Sequence, residues 1–186
     1  MQNKYFKQLF KTISKLPNIG QKTALKLSYH LSLENKILAK ELISSLNDCI
    51  NNISSCKLCG NISEDELCEI CTDTQRIKKI CLVENAKDVF FYESCGGYNG
   101  YYFVFDLLSD EKINELKSMI NMLNCDEIIF GFNPNINSDA FYYFLETKLG
   151  DIIKITKIAQ GVPSGVKISD TDTITLTKAL QNRTKD

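Results

Sequence analysis

Cys56-Lys57-Leu58-Cys59-Gly60-Asn61-Ile62-Ser63-Glu64-Asp65-Glu66-Leu67-Cys68-Glu69-Ile70-Cys71 sets four cysteines in two C-x2-C turns, with the eight residues Gly60 to Leu67 between them. A C-x2-C turn lets two thiolates face one ion while local amides support them, and two such turns complete a tetrahedral shell of soft donors. The spacing predicts one structural zinc ion per chain, held by Cys56, Cys59, Cys68 and Cys71. The intervening stretch is short, polar and turn-forming, with Gly60 where the chain must reverse, so the expected shape is a compact ribbon. A closed shell of four thiolates has no position for water or substrate. The ribbon therefore staples the fold, and function has to come from its flanks.

A chain of 186 residues, 44% hydrophobic, can bury a real core as one larger domain or as several modules. The remaining cysteines, Cys49, Cys81, Cys95 and Cys125, are scattered, and three of them lie in apolar or helical stretches where a thiol acts as a small hydrophobe; all are expected to be reduced. No charged and then apolar leader opens the sequence, and no apolar run reaches the ~18 residues a membrane span needs, so a cytoplasmic protein is expected. The net charge of −1 conceals a division along the chain. Residues 1–40 carry 8 bases and 1 acid, residues 41–75 carry 1 and 7, and residues 76–186 carry 13 and 15, giving +7, −6 and −2. A basic end followed by an acidic connector points to a polyanion as the partner of that end.

In the basic end, Tyr5, Phe6, Leu9, Phe10, Ile13 and Leu16 form a helical apolar stripe, with Lys4, Lys7, Lys11 and Lys15 on the other side. Pro17 and Gly20 interrupt the helix, and a second periodic run follows through Leu25, Leu27, Tyr29, His30 and Leu31. Gly20 tolerates positive φ and lets the backbone approach a ligand, and the free amides opening the second helix favour a phosphate. Lys22 and Lys26, one turn apart, can face the same phosphate backbone. Leu16, Pro17, Ile19, Gly20, Thr23 and Ala24 resemble the helix-hairpin-helix motif, which implies sequence-independent DNA binding through Gly20, Lys22 and Lys26. His30, the one histidine, follows Tyr29 on the apolar side and is expected to be a packed, hydrogen-bonded core residue.

After Arg76 the pattern alternates. Strands are expected at Ile80–Val83, Tyr101–Phe105, Glu127–Phe132 and Asp151–Ile155, with helices at Ala86–Glu93, Glu111–Leu123 and Asn137–Leu149. Such alternation predicts a parallel sheet covered by helices, with its functional edge at the carboxyl ends of the strands. Glu84, Asp106 and the turn Asn133-Pro134-Asn135-Ile136-Asn137-Ser138-Asp139 fall at those ends. The arrangement resembles a Toprim domain, whose glutamate and Asp-x-Asp turn bind magnesium. Glu84 matches the glutamate, but Asn133 and Asn135 stand where the two aspartates belong, and Asn137 replaces a further acid. Magnesium is held mainly through carboxylate charge, so the expectation is a Toprim scaffold without its chemistry.

Taken in order, these parts and the tail Ile158-Ala159-Gln160-Gly161-Val162-Pro163-Ser164-Gly165 resemble the bacterial RecR family of recombination mediators over nearly the full length. The fold implied is a multi-module α+β chain. It comprises a helix-hairpin-helix module at 1–54, a four-cysteine zinc finger at 55–74, a Toprim domain at 78–160 and a C-terminal segment for subunit contacts at 161–186. The resemblance implies a DNA-binding adaptor and not an enzyme. Such a protein forms a homo-oligomeric ring and acts with RecO-like and RecF-like proteins to load RecA at single-strand gaps. Glu84 and Asp139 are the expected docking carboxylates for a basic partner. The chain departs from the family pattern at Asn137, at Gln160, at Val166 and in the short loop Asp106–Glu111. The rival readings are a magnesium-dependent Toprim nuclease or primase, and a zinc-ribbon interaction scaffold that does not bind DNA.

Overall fold

The computed structural model describes residues 3–133 and 136–159, together with 165, 173 and 175–177. A first compact unit ends at Ile53 and a second begins at Ser54. The first unit holds α1 (Lys4–Ile13), α2 (Gln21–Tyr29), a π-helical turn (His30–Glu34) and α3 (Lys36–Asn52). Asn3 opens α1 by accepting the Tyr5 and Phe6 amides on its side chain. Ile13 is buried, and on α2 the small residues Ala24 and Ser28, one turn apart, are fully buried, which lets the two helices approach closely. Phe6 packs on Tyr29 with ring centroids 4.7 Å apart.

The second unit begins with the ribbon, made of β1 (Ser54–Ser55) paired antiparallel with β2 (Ile62–Ser63) and followed by the short α4 (Glu69–Thr72). The chain then alternates through β3 (Lys79–Val83), α5 (Ala86–Cys95), β4 (Tyr101–Val104), α6 (Asp110–Leu123), β5 (Glu127–Phe130), α7 (Ile136–Leu149) and β6 (Lys154–Lys157). The four long strands form one parallel sheet in the order β4-β3-β5-β6. Alternate residues serve opposite faces. Ile80, Leu82, Tyr101 and Phe103 join one core with Leu116 and Met119 of α6 and Leu145 and Leu149 of α7, while Cys81, Val83, Tyr102 and Val104 join another with Val89 of α5. Burial on both faces explains the continuous apolar runs of β3 and β4.

The ribbon shares this core. All four of its paired cysteines pack in the cluster that contains Tyr101 and Phe103. The Val104 N–H donates to the Cys59 carbonyl at 2.8 Å, and the Tyr101 hydroxyl donates to the Asp73 carbonyl at 2.9 Å.

Several expectations need correction. The last strand runs over Lys154–Lys157, not Asp151–Ile155, because the Ile152 and Ile153 amides fold back onto the Leu149 carbonyl and prolong the end of α7. β5 stops at Phe130, two residues short of the expected end, and the Gly131 N–H makes the last bond of the ladder, to the Leu82 carbonyl. His30 is no core residue: its side chain is 42% exposed, and its Nδ1 lies 2.8 Å from Glu34 Oε2 on the π-helical turn. Cys49 and Cys95 are exposed although they lie in helices, so the small-hydrophobe reading holds for buried Cys81 and half-buried Cys125 alone. Pro134, Asn135, most of the 158–165 tail and most of the expected C-terminal helix lie outside the described residues; Thr173 and 175–177 are helical.

Candidate metal centre and nucleic-acid interface

The ribbon brings Cys56, Cys59, Cys68 and Cys71 together as the two C-x2-C turns require. The four Sγ atoms lie within 4.8 Å of one another and all four residues are buried. Cys56 and Cys71 are 3.9 Å apart and Cys59 and Cys68 are 3.6 Å apart. A tetrahedron with Zn–S bonds of ~2.3 Å has edges of about 3.8 Å, so the spacing suits zinc. Backbone amides support the sulfurs: Asn61 N–H donates to Cys59 Sγ at 3.4 Å and Cys68 N–H to Cys56 Sγ at 3.3 Å. Four thiols this close cannot all ionise unaided. Contact with Cys68 holds the Cys59 thiol above its ordinary range, contact with Cys59 does the same for Cys71, and hydrogen bonding from Cys59 holds Cys68 far below it. A divalent cation at the centre removes that conflict.

Arg76 ties the end of the ribbon to the sheet. Its guanidinium grips Glu93 of α5 through two hydrogen bonds of 2.9 and 2.7 Å, donates to the Gly100 carbonyl at 2.9 Å, and stands 3.5 Å from Asp73. Tyr102 donates to the same Glu93 at 2.8 Å. The Arg76 hydrogen bonds hold the Glu93 carboxyl below its usual range. Arg76 carried no signal in the sequence beyond its place at the start of the alternating half.

In the first unit, Gly20 caps α2 with φ −74° and ψ 164°, and the left-handed backbone of the hairpin falls on Asn18, at φ 61°. The open space around Gly20 is what remains useful, since a Cβ there would meet nothing within 4 Å. No side chain caps α2, which leaves its first amides to an outside acceptor. Lys22 and Lys26 are both exposed. No acid occurs between Asn3 and Leu33, and the first one, Glu34, lies against His30.

At the carboxyl edge of the sheet, a cleft of about 610 Å3 is lined by Glu84, Asn85, Phe105, Asp106, Phe132 and Ser138, among others. Asp139 instead accepts from Lys157 at 3.0 Å, so part of its charge is already matched. Among the described residues, the four ribbon cysteines are the one group of three or more metal-ligating side chains close enough to share an ion. Also among the described residues, no helix is long and apolar enough to cross a membrane.

Two family models match the chain, the RecR helix-hairpin-helix over residues 6–50 and the RecR four-cysteine zinc finger domain over residues 53–73. The "Recombination protein RecR" of Campylobacter jejuni subsp. doylei is 45% identical over 182 residues, covering 97% of this chain and 96% of the relative. The chain belongs to the RecR family. RecR proteins of Nitratiruptor sp. and Helicobacter pylori (strain P12) are similar as well. The first is 41% identical over 184 residues, with 98% and 97% of the two chains covered. The second is 37% identical over 183 residues, with 97% and 95% covered. The RecR zinc-finger match spans all four paired cysteines, and the chain carries one structural zinc. Gly20, Lys22 and Lys26 fall inside the RecR helix-hairpin-helix match, whereas Glu84 and Asp139 lie beyond both matched segments.

Proposed function

We propose that the chain is a non-catalytic, zinc-stapled DNA clamp and adaptor in recombinational repair, the role that its relatives' name, recombination protein, suggests. The observation that carries this reading is the acid-free helical hairpin. Its second helix opens on uncapped amides, with Gly20 in open space and Lys22 and Lys26 exposed one turn apart. Amides and lysines so placed hold sugar-phosphate without reading bases. Cys56, Cys59, Cys68 and Cys71 are the proposed zinc ligands.

The clamp is proposed to be a homo-oligomeric ring. Ile37, Ile43, Leu46 and Ile50 of α3 are exposed in the single chain and give an oligomer apolar surface to bury. RecO-like and RecF-like proteins are the proposed partners for loading RecA at gaps. Glu84 and Asp139 are proposed as docking carboxylates for a basic partner, with Lys157 releasing Asp139 on contact. Asparagine at positions 133, 135 and 137 argues against a magnesium nuclease.

Fluorescence anisotropy on gapped, single-stranded and duplex oligonucleotides across a salt series tests this, with a RecO-like protein absent and then present and magnesium added to a parallel set. Salt-dependent binding without strand cleavage, changed by the partner, is expected. Magnesium-dependent cleavage would replace the adaptor by a nuclease, and no binding under any condition would leave an interaction scaffold.

A further inference from the structure

A second feature of the hairpin module lies at its far end from Gly20. Asn3, Tyr5, Phe6, Leu9, Tyr29, Ser32 and Leu33 line a cleft of about 500 Å3. Tyr5 is 80% exposed and Tyr29 45% exposed, and Phe6 packs on Tyr29 beneath them. One wall is the π-helical turn His30–Glu34, a rare geometry concentrated at functional sites. A tyrosine left this open contributes little to the packing of its own chain.

The surroundings identify the occupant. Lys22 and Lys26 are exposed on α2, seven and three residues before Tyr29 and so on its face of the helix, and neither α1 nor α2 carries a carboxylate. The one carboxylate on the cleft's π-helical wall, Glu34, is paired with His30 at 2.8 Å, and an aromatic cleft beside exposed lysines suits a ligand that pairs flat rings with phosphate charge. Lys22 and Tyr29 stand seven residues apart on α2, about 10 Å along the helix axis, so one strand can reach both. Bases inside a duplex are already stacked and present no face to such a cleft. Resting on the DNA-binding role above, we infer that the Tyr5–Phe6–Tyr29 cleft stacks an unpaired nucleobase, making this module a reader of single-stranded DNA beside the phosphate-binding hairpin. Base–aromatic stacking tolerates any sequence, in keeping with a clamp that reads none.

The test compares a fluorescein-labelled oligothymidylate with an abasic strand of equal length across a salt series, using the full zinc-loaded protein. The wild-type chain should bind the thymidylate strand about tenfold more tightly than the abasic strand, the equivalent of one stacked base. Tyr5→Ala should bring the two strands to within about twofold while preserving the salt slope and the abasic affinity; Tyr5→Phe should keep the wild-type difference. Because Tyr5 is so exposed, the alanine variant is expected to melt with the parent. Equal binding of both strands by the wild-type protein, or an undiminished difference in Tyr5→Ala, would overturn the stacking site while the phosphate clamp stands. A change of oligomer mass in Tyr5→Ala by sedimentation, with the base preference intact, would assign the cleft to a second copy instead. If neither strand binds with any salt dependence, the DNA-binding role itself fails.

Discussion

Gly60 adopts φ +77°, and a Cβ there would stand 3.2 Å from Val104 Cβ on the sheet. A non-glycine residue in the left-handed region costs about 1–3 kcal/mol before any crowding is counted. Gly60→Ala should therefore lower the stability of the zinc-loaded protein by about that amount in denaturant unfolding, with zinc content retained. Cys59→Ser removes a soft donor from a buried shell and should release the metal; one zinc per chain by elemental analysis of that variant would contradict the ligand assignment. At Glu93 the sign of the pH dependence follows from its lowered carboxyl. The Arg76 hydrogen bonds stabilise the fold wherever Glu93 is ionised in both folded and unfolded chains, and that contribution disappears as pH falls through the folded-state value. Glu93→Gln should thus cost about 1–2 kcal/mol near neutral pH, allowing for solvent screening of a partly exposed pair. The gap from wild type should close below the ordinary glutamate range of about pH 4. A gap independent of pH would mean that shape, not charge, holds the site.

At the scale of elements, the ribbon behaves as part of the sheet unit. Its cysteines pack with Tyr101 and Phe103, and Cys59 and Asp73 accept hydrogen bonds from β4. Chelation should accordingly strip amide-exchange protection from β1, β2, α4 and β4, while α1 and α2, which belong to the other compact unit, keep theirs. Loss of protection confined to the ribbon would show it to be an independent bead. The cysteine spacing and the βα alternation were legible because each repeats a geometric rule, tetrahedral donors in one case and doubly covered strands in the other. The π-helical turn was not, since a widened turn leaves no compositional mark in His30-Leu31-Ser32-Leu33-Glu34. α3 also escaped, because none of its residues is buried and its apolar positions define no inward face. The start of β6 was misplaced because Ile152 and Ile153 read as strand residues while their amides close the end of α7. The tolerance of Gly20 for positive φ is not used: the hairpin places its left-handed residue at Asn18.

On the scale of the whole molecule, charge is sorted along the chain, +7 over residues 1–40 against −6 over residues 41–75, so the basic module keeps its attraction for a polyanion within a nearly neutral protein. Lys22 stands in the first turn of α2, where the amides are free, and Lys26 follows on the same face one turn later. If they contact phosphates, each releases counterions on binding, and their removal should flatten the salt dependence by about one to two units of log–log slope. The most direct measurement is the salt dependence of DNA affinity for the wild-type chain and for Lys22→Ala with Lys26→Ala. Weaker binding with a shallower slope and unchanged zinc content is the predicted result; undiminished affinity with the wild-type slope would contradict the hairpin clamp.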